Sequence, residues 1–399
     1  MKVLTIGQLP VEAGGNYTTG AANVVYELSR KSVEGVAGYT FGTNIPKGKA
    51  KLISTYPNQY MGYKWSGVLN IIKDWLIHPV KSVHQWRHYR DVDHENPLRF
   101  SFYKVNIESA INRVKPDIIH VNSIGNISAT RFALGNKKIP ILLTCHGIFY
   151  RGEKCDIVGK DRYLGNIGLA DAYSGLTQES LFEYQKYLGI SKDKVSIVPN
   201  GADCDKFYYD QERRLSLRKE MNVGEDVKVL LTVASVQERK GQYAFVKLLS
   251  NLEDVKFQYW IIGKGGDMER IREYVKNNRM EDRIKLLGYH SADELYAYYS
   301  AADIYAHVST QEGQALCDIE ANATGMRSII NKKILGTVPG LESRDYYLLD
   351  TDDIKYKELA LWIKRDINCR CSSRSLDWQN ILNMYVALYK KVIREYDNN

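Results

Sequence analysis

The sequence predicts an α/β protein built as two doubly wound domains, and three observations carry that prediction. Its 399 residues exceed the roughly 250–300 at which one hydrophobic core stops growing. Short apolar runs alternate with helix-spaced segments along the whole chain, the pattern of parallel strands buried on both faces. That rhythm breaks once, at the turn formers Pro199-Asn200-Gly201-Ala202-Asp203, which puts one domain at 1–200 and a second at 201–379.

In the first domain, Val3-Leu4-Thr5-Ile6 reads as a strand, Gly14-Gly15-Asn16 as a glycine loop and Ala21 to Lys31 as a helix. Further units follow. Asp117 to Val121 precedes a helix at Asn126 to Leu134, Ile139 to Thr144 precedes His146-Gly147, and Tyr173 to Thr177 precedes a helix at Gln178 to Leu188. Val195-Ser196-Ile197-Val198 closes the series. The second domain repeats the scheme with strands at Val229–Val233, Gln258–Ile262, Ile284–Leu287, Ile304–Ala306 and Tyr347–Leu349. Apolar positions from Leu376 to Val392 then spell a last helix. Two domains of this kind leave a cleft facing the carboxyl ends of their strands, where open α/β sheets bind ligands.

Composition narrows the classes. Apolar residues are 44% and charged residues 26%, with 30 Gly and 9 Pro, which excludes a disordered or collagenous chain. The net charge of +8 is uneven, with 25 Lys/Arg against 16 Asp/Glu in residues 1–200 and 30 against 31 afterwards, so a large anionic partner would meet the first half. No nucleic-acid motif accompanies the charge. The six cysteines lack paired zinc-site spacing and read as reduced thiols. The N-terminus reaches Gly7 too early for a secretory apolar region, and no run approaches a spanning helix, so the expected location is the cytoplasm.

The segment Glu312-Gly313-Gln314-Ala315-Leu316-Cys317-Asp318-Ile319-Glu320 places two carboxylates eight residues apart, the first in a loop and the second two turns into a helix starting near Gln314. A helix start offers N–H groups to an anion and a carboxylate can accept from hydroxyls, the two needs of a nucleoside diphosphate sugar. With its surroundings this segment resembles the retaining glycosyltransferases of the GT-B fold, most closely family GT4, marked by two glutamates separated by seven residues. Gly14-Gly15, His146-Gly147, Pro199 to Asp203, Arg239-Lys240-Gly241, Gly263-Lys264-Gly265-Gly266, Ala302 to Tyr305, Ser309 and the glutamates fall in that family's order.

The resemblance implies two Rossmann-like domains, the first (1–200, completed by 380–399 as the last helix returns to it) for the acceptor and the second (201–379) for the donor. It implies that Glu320 binds the donor ribose and that Glu312 contacts the donor sugar beside the anomeric carbon. Lys240 and Arg239 would neutralise the diphosphate, with backbone groups of Gln314, Ala315 and Leu316 assisting. Gly14 and Gly15 would let the first loop approach the phosphates, His146 would bond a sugar hydroxyl, and the turn at Gly288-Tyr289 would hold the base. The activity implied is transfer of a sugar from a nucleotide donor to a glycan hydroxyl with retention, without a metal or other cofactor, the acceptor being a lipid-linked glycan of a bacterial surface polysaccharide. A silent nucleotide-sugar-binding protein, or an epimerase or phosphorylase on the same fold, is the alternative. Two departures stand out: Ala234-Ser235 replaces a common Gly-Arg, leaving Arg239 as the substitute cation, and Gln314-Ala315 replaces an aromatic and a glycine.

Taken singly, most of these features have plainer readings: a solvated carboxylate pair, a basic turn, a buried histidine, a glycine turn. Asp91-Val92-Asp93 and Asp350-Thr351-Asp352 have a metal-binding spacing, but Asp91 follows the polar stretch Arg87-His88-Tyr89-Arg90 and not a buried strand. Between residues 63 and 90, Trp65, Val68, Leu69, Ile72 and Leu76 follow helical spacing near Trp75 and Trp86, with Lys64, Lys73, Lys81, Arg87 and Arg90 interleaved. That stripe suits an anionic membrane interface on the inner face of the cell membrane, or equally packing against the first domain.

Overall fold

In the computed structural model, the strands of the two main sheets all run parallel to their neighbours. It describes residues 1–13, 15, 19–46, 59–63, 67–147, 150–151, 156–157, 160–252, 254–341, 344–366, 370 and 372–398. The chain divides into one unit of Met1–Asn200 with Trp378–Asn399 and another of Gly201–Asp377.

Unit 1 runs β1 (Lys2–Gly7), α1 (Gly20–Arg30), β2 (Ala37–Pro46), β3 (Gln59–Tyr63), α2 (Gly67–Ile77), α3 (Pro79–Asp91), α4 (Pro97–Val114), β4 (Ile118–Asn122), α5 (Ile127–Leu134) and β5 (Ile141–Thr144). A two-residue hairpin follows, β6 (Tyr150–Arg151) and β7 (Asp156–Ile157), then α6 (Lys160–Asn166), β8 (Ala172–Gly175), α7 (Gln178–Leu188) and β9 (Val195–Ile197). The sheet order β3-β2-β1-β4-β5-β8-β9 reverses direction between β1 and β4, the topological switch point of a doubly wound sheet. Leu4 and Ile6 feed a core shared with α4, α5 and α7, while Val3 and Thr5 on the other face meet Leu28 of α1 and Leu382 and Val386 of the C-terminal helix (Trp378–Asp397). That helix also supplies Tyr389, whose hydroxyl lies 2.7 Å from Nδ1 of the buried His120 on β4.

Unit 2 runs α8 (Gln211–Glu220), β10 (Lys228–Val233), α9 (Gln242–Leu249), β11 (Phe257–Ile262), α10 (Met268–Asn277), β12 (Ile284–Gly288), α11 (Ala292–Ala301), β13 (Ile304–His307), α12 (Leu316–Ala323), β14 (Arg327–Asn331), β15 (Tyr346–Leu349) and α13 (Tyr356–Lys364). Its order β12-β11-β10-β13-β14-β15 repeats the same winding, with the switch point between β10 and β13. Leu230 faces one core and Val229, Leu231 and Val233 the other, which is why β10 reads as an almost unbroken apolar run instead of alternating.

Three strands of the main sheets escape the periodicity. β2 and β3 are built largely on Gly, Thr, Tyr and Gln, and β14 has only Ile329-Ile330 as apolar residues. β14 is buried because specific partners satisfy its polar ends: Arg327 donates to the backbone oxygens of Trp362 and Arg365 at 2.7 and 2.9 Å, and Asn331 to that of Val308 at 3.3 Å. The long α4 is likewise absent from the sequence reading, although its start is signalled by Asn96, whose side chain accepts from the N–H groups of Leu98 and Arg99 at 2.9 and 3.3 Å ahead of Pro97.

Candidate active site in unit 2

The chain leaves β10 and β13 side by side, so the two following loops meet. The first ends in a helical turn, Glu238–Lys240, and Gly241 at φ +75°. A Cβ at Gly241 would lie 2.2 Å from the carbonyl oxygen of Val308, so only glycine lets the loops touch here. Thr310, past β13, donates from its N–H and hydroxyl to the carbonyl of Arg239 at 2.8 and 3.1 Å, which ties one loop to the other.

This seam holds a chain of buried charge. Lys240 Nζ pairs with Glu312 Oε1, and Arg239 Nη1 stands 3.7 Å from Glu312 Oε2 while donating to the carbonyl of Gln311 at 3.2 Å. Glu312 Oε1 lies 4.0 Å from His307 Nε2, and His307 Nδ1 lies 3.3 Å from Asp318 Oδ1. Asp318 in turn receives Arg344 Nη1 on both carboxylate oxygens at 3.0 and 2.9 Å and Nη2 on its backbone oxygen at 2.8 Å. Neither ring nitrogen has hydrogen-bond geometry to its carboxylate, and the His307 ring lies between the two carboxylates at close range.

Arg239, Lys240, His307 and Arg344 thus surround two carboxylates. Burial alone would lower the His307 pKa, but Asp318 and Glu312 on its two sides outweigh it and the net shift is upward. Burial would raise Glu312, yet His307 and Lys240 hold it far below the usual carboxylate range, and Asp318 is lowered against its own burial by Arg344 and His307. Glu312 is therefore an ionised acceptor and a poor proton donor.

Glu320 comes from α12. That helix begins at Leu316 with Ala315 as its N-cap, so Glu320 sits just over one turn in, a correction to the start near Gln314 read from the sequence. Gln314 is buried, Ala315 and Leu316 are half-buried, and the first N–H groups of α12 follow Glu312 closely along the chain. The buried Tyr299 donates its hydroxyl to Glu320 Oε2 at 2.8 Å; burial and the Glu320 charge raise the phenol pKa and keep it a donor.

At Gly288-Tyr289, the Gly288 carbonyl is already taken by the N–H of Gly263 at 2.6 Å, and Tyr289 is exposed with Lys264 Nζ 5.6 Å from its ring centre. Gly263 is fixed by packing, since a Cβ there would meet the Ala234 oxygen at 1.8 Å. Asp303, one of the ordered matches, is structural: it pairs with Arg214 and Arg218 at 2.6 and 3.1 Å and accepts from the Val229 N–H at 2.8 Å.

In unit 1, His146 follows β5 and lies 3.3 Å from Asn122 Oδ1 at the end of β4, beside the switch point; burial lowers its pKa to about 4, so it is neutral at pH 7. Gly15 donates to the Pro10 carbonyl at 2.9 Å, and Gly14 lies outside the described residues. Of the discarded aspartates, Asp93 is fully buried and accepts from Ser128 and Asn166 at 2.7 Å each, and Asp350 pairs with Lys332 at 2.8 Å. His307, Arg344, Tyr299 and Asn122 are absent from the sequence reading. The signal for the first was a histidine ending an apolar strand eleven residues before an aspartate in an apolar helix.

Against this geometry, residues 52–206 match the profile of Glycosyltransferase Family 4 and residues 214–341 that of Glycosyl transferases group 1, together more than half the chain. The chain is a GT4-type glycosyltransferase. It is 22% identical over 302 residues to N-acetyl-alpha-D-glucosaminyl L-malate synthase of Bacillus anthracis, covering 71% of this chain and 76% of that enzyme. It is 26% identical over 170 residues to processive diacylglycerol alpha-glucosyltransferase of Acholeplasma laidlawii, covering 40% of this chain and 50% of that enzyme. Anabaena HepE in complex with UDP and glucose superposes with a TM-score of 0.66 at 15% identity, over all of both chains. The glycosyltransferase has the GT-B fold, an α/β chain with two Rossmann-like sheets.

Proposed function

We propose that the glycosyltransferase moves a sugar from a nucleotide-sugar donor to a hydroxyl of a glycan acceptor, with retention at the anomeric carbon and without a metal. The observation that carries this reading is the seam of Arg239 and Lys240 around Glu312, with His307 beside it, followed in sequence by the start of α12. The fold shared with HepE in complex with UDP and glucose favours a nucleoside diphosphate sugar as donor.

In this scheme Glu320 accepts the ribose hydroxyls, oriented by the Tyr299 hydroxyl, and Lys240 and Arg239 offset the diphosphate charge that grows on departure. Glu312, kept ionised, accepts from sugar hydroxyls next to the anomeric carbon. The exocyclic bond from that carbon to the diphosphate breaks, the acceptor oxygen bonds to the same face, and the departing diphosphate oxygen takes the acceptor proton. Gln314, Ala315 and Leu316 line the helix start and the Gly288-Tyr289 turn flanks the base. The acceptor is a lipid-linked glycan of a surface polysaccharide, a reading favoured by the apolar outer face of α2 and α3.

The test is a panel of nucleotide sugars. A true donor at 100 times its dissociation constant adds about 2.7 kcal/mol to stability, and its product should keep the donor's anomeric configuration by NMR in excess chelator. An inverted product, or activity lost on chelation and restored by magnesium, refutes the mechanism.

A further inference from the structure

Helices α2 and α3 leave large apolar side chains on their outer face. In α2, Gly67 and Ile71 face inward, while Val68, Leu69, Ile72 and Leu76 point away from unit 1, with Leu69 70% and Leu76 79% exposed. In α3 the buried residues are Ser82, Gln85 and Tyr89, and the exposed ones include Val80 (83%) and Val83. The Ser82 hydroxyl and the Gln85 amide nitrogen are buried without a hydrogen-bond partner. A helix bordering water turns its apolar stripe to the core; here valines and leucines face out, while α3 turns Ser82 and Gln85 inward beside Tyr89. The stripe read from the sequence is thus not core packing. The tryptophans read with it are not its outer face: Trp75 and Trp86 are half-buried, stack edge to face at 4.9 Å, and the Trp86 indole donates to Ser101 at 2.9 Å. Lys64 and Trp65, read with the same stripe, lie outside the described residues.

Charge selects the occupant. The acids of α2 and α3 are Asp74, bound to the buried Lys104, and Asp91, paired with Arg90 at 2.6 Å; Lys73, Lys81 and Arg87 stand exposed, without an ion pair among the described residues. Among the described residues no helix is long and apolar enough to cross a membrane. We propose that the outer face of α2 and α3 docks on an anionic lipid bilayer, with Leu76, Ile77 and Val80 at the elbow entering the acyl boundary and Lys73, Lys81 and Arg87 contacting lipid phosphates. Docking needs no acceptor, so it stands or falls apart from the lipid-linked acceptor reading.

The test uses the whole chain and vesicles of phosphatidylcholine with or without phosphatidylglycerol, free of any glycan lipid. The protein should co-sediment with the anionic vesicles. Leu76→Glu/Val80→Glu should lose at least tenfold in partition, and Lys73→Glu/Lys81→Glu/Arg87→Glu should lose roughly fivefold per residue on anionic vesicles only. Leu215→Glu, at an exposed leucine of unit 2, should bind as the parent does. All variants should keep the parent's thermal unfolding. Three results would overturn the proposal: no sedimentation of the parent, undiminished binding of the Leu76/Val80 variant, or light scattering showing a dimer that this variant dissociates, which would make a second copy the occupant.

Discussion

Replacing Asp318 by Asn probes the buried charge chain at its centre. The change keeps the shape but removes the charge that two Arg344 hydrogen bonds and the His307 ring depend on, in a place where both Arg344 and Asp318 are almost fully buried. Removing one partner of a buried pair destabilises by about 3–5 kcal/mol, because the other charge stays desolvated. For a unit of this size each kcal/mol moves the midpoint by about 2–4 °C, so calorimetry at pH 7 should find unit 2 melting roughly 6–20 °C lower. The double variant Asp318→Leu/Arg344→Leu leaves no orphan charge and should recover most of the loss. A midpoint within about 2 °C of the parent, or a double variant worse than the single one, would refute the reasoning.

Lys240→Ala should lower turnover about 100- to 1,000-fold with a smaller loss of donor affinity, because its charge is needed most as the diphosphate leaves; steady-state kinetics with full kcat and only affinity lost would make it a plain binding residue. Stability should also depend on pH in a defined way. The raised His307 pKa contributes fully below its ordinary value of 6.5 and is lost as pH rises through the higher folded value, so unit 2 should melt progressively lower on the alkaline side. The lowered Glu312 and Asp318 contribute above their ordinary values of 4.5 and 3.8 and lose that contribution as pH falls. His307→Leu should flatten the alkaline limb, and an unchanged limb would deny the histidine its role.

The doubly wound plan was legible because parallel strands buried on both faces are written as unbroken apolar runs, as Val229-Leu230-Leu231 is for β10 and Ile261-Ile262 for β11. Where long-range polar partners bury a strand, as Trp362 and Arg365 bury Arg327 on β14, no local pattern reports it. Lys240, Glu312 and Glu320 were readable from the family's order, and the Lys240–Glu312 pair gives two of them one setting. His307, Asp318 and Arg344 meet only in three dimensions, from a strand end, a helix and a loop after β14. The direction of the α2 stripe was undecidable from spacing, because periodicity gives a face and not what lies against it.

The central claim, that unit 2 holds a nucleoside diphosphate through Glu320 beside the Lys240 seam, is tested most directly by calorimetric titration of UDP, GDP, ADP, CDP and TDP into the parent and Glu320→Ala. One base should bind the parent at one site per chain, and the variant should bind it at least tenfold more weakly, since each lost hydrogen bond to a charged acceptor is worth about 1.5–3 kcal/mol. Failure of all five to bind, or equal affinity in the two proteins, would contradict it.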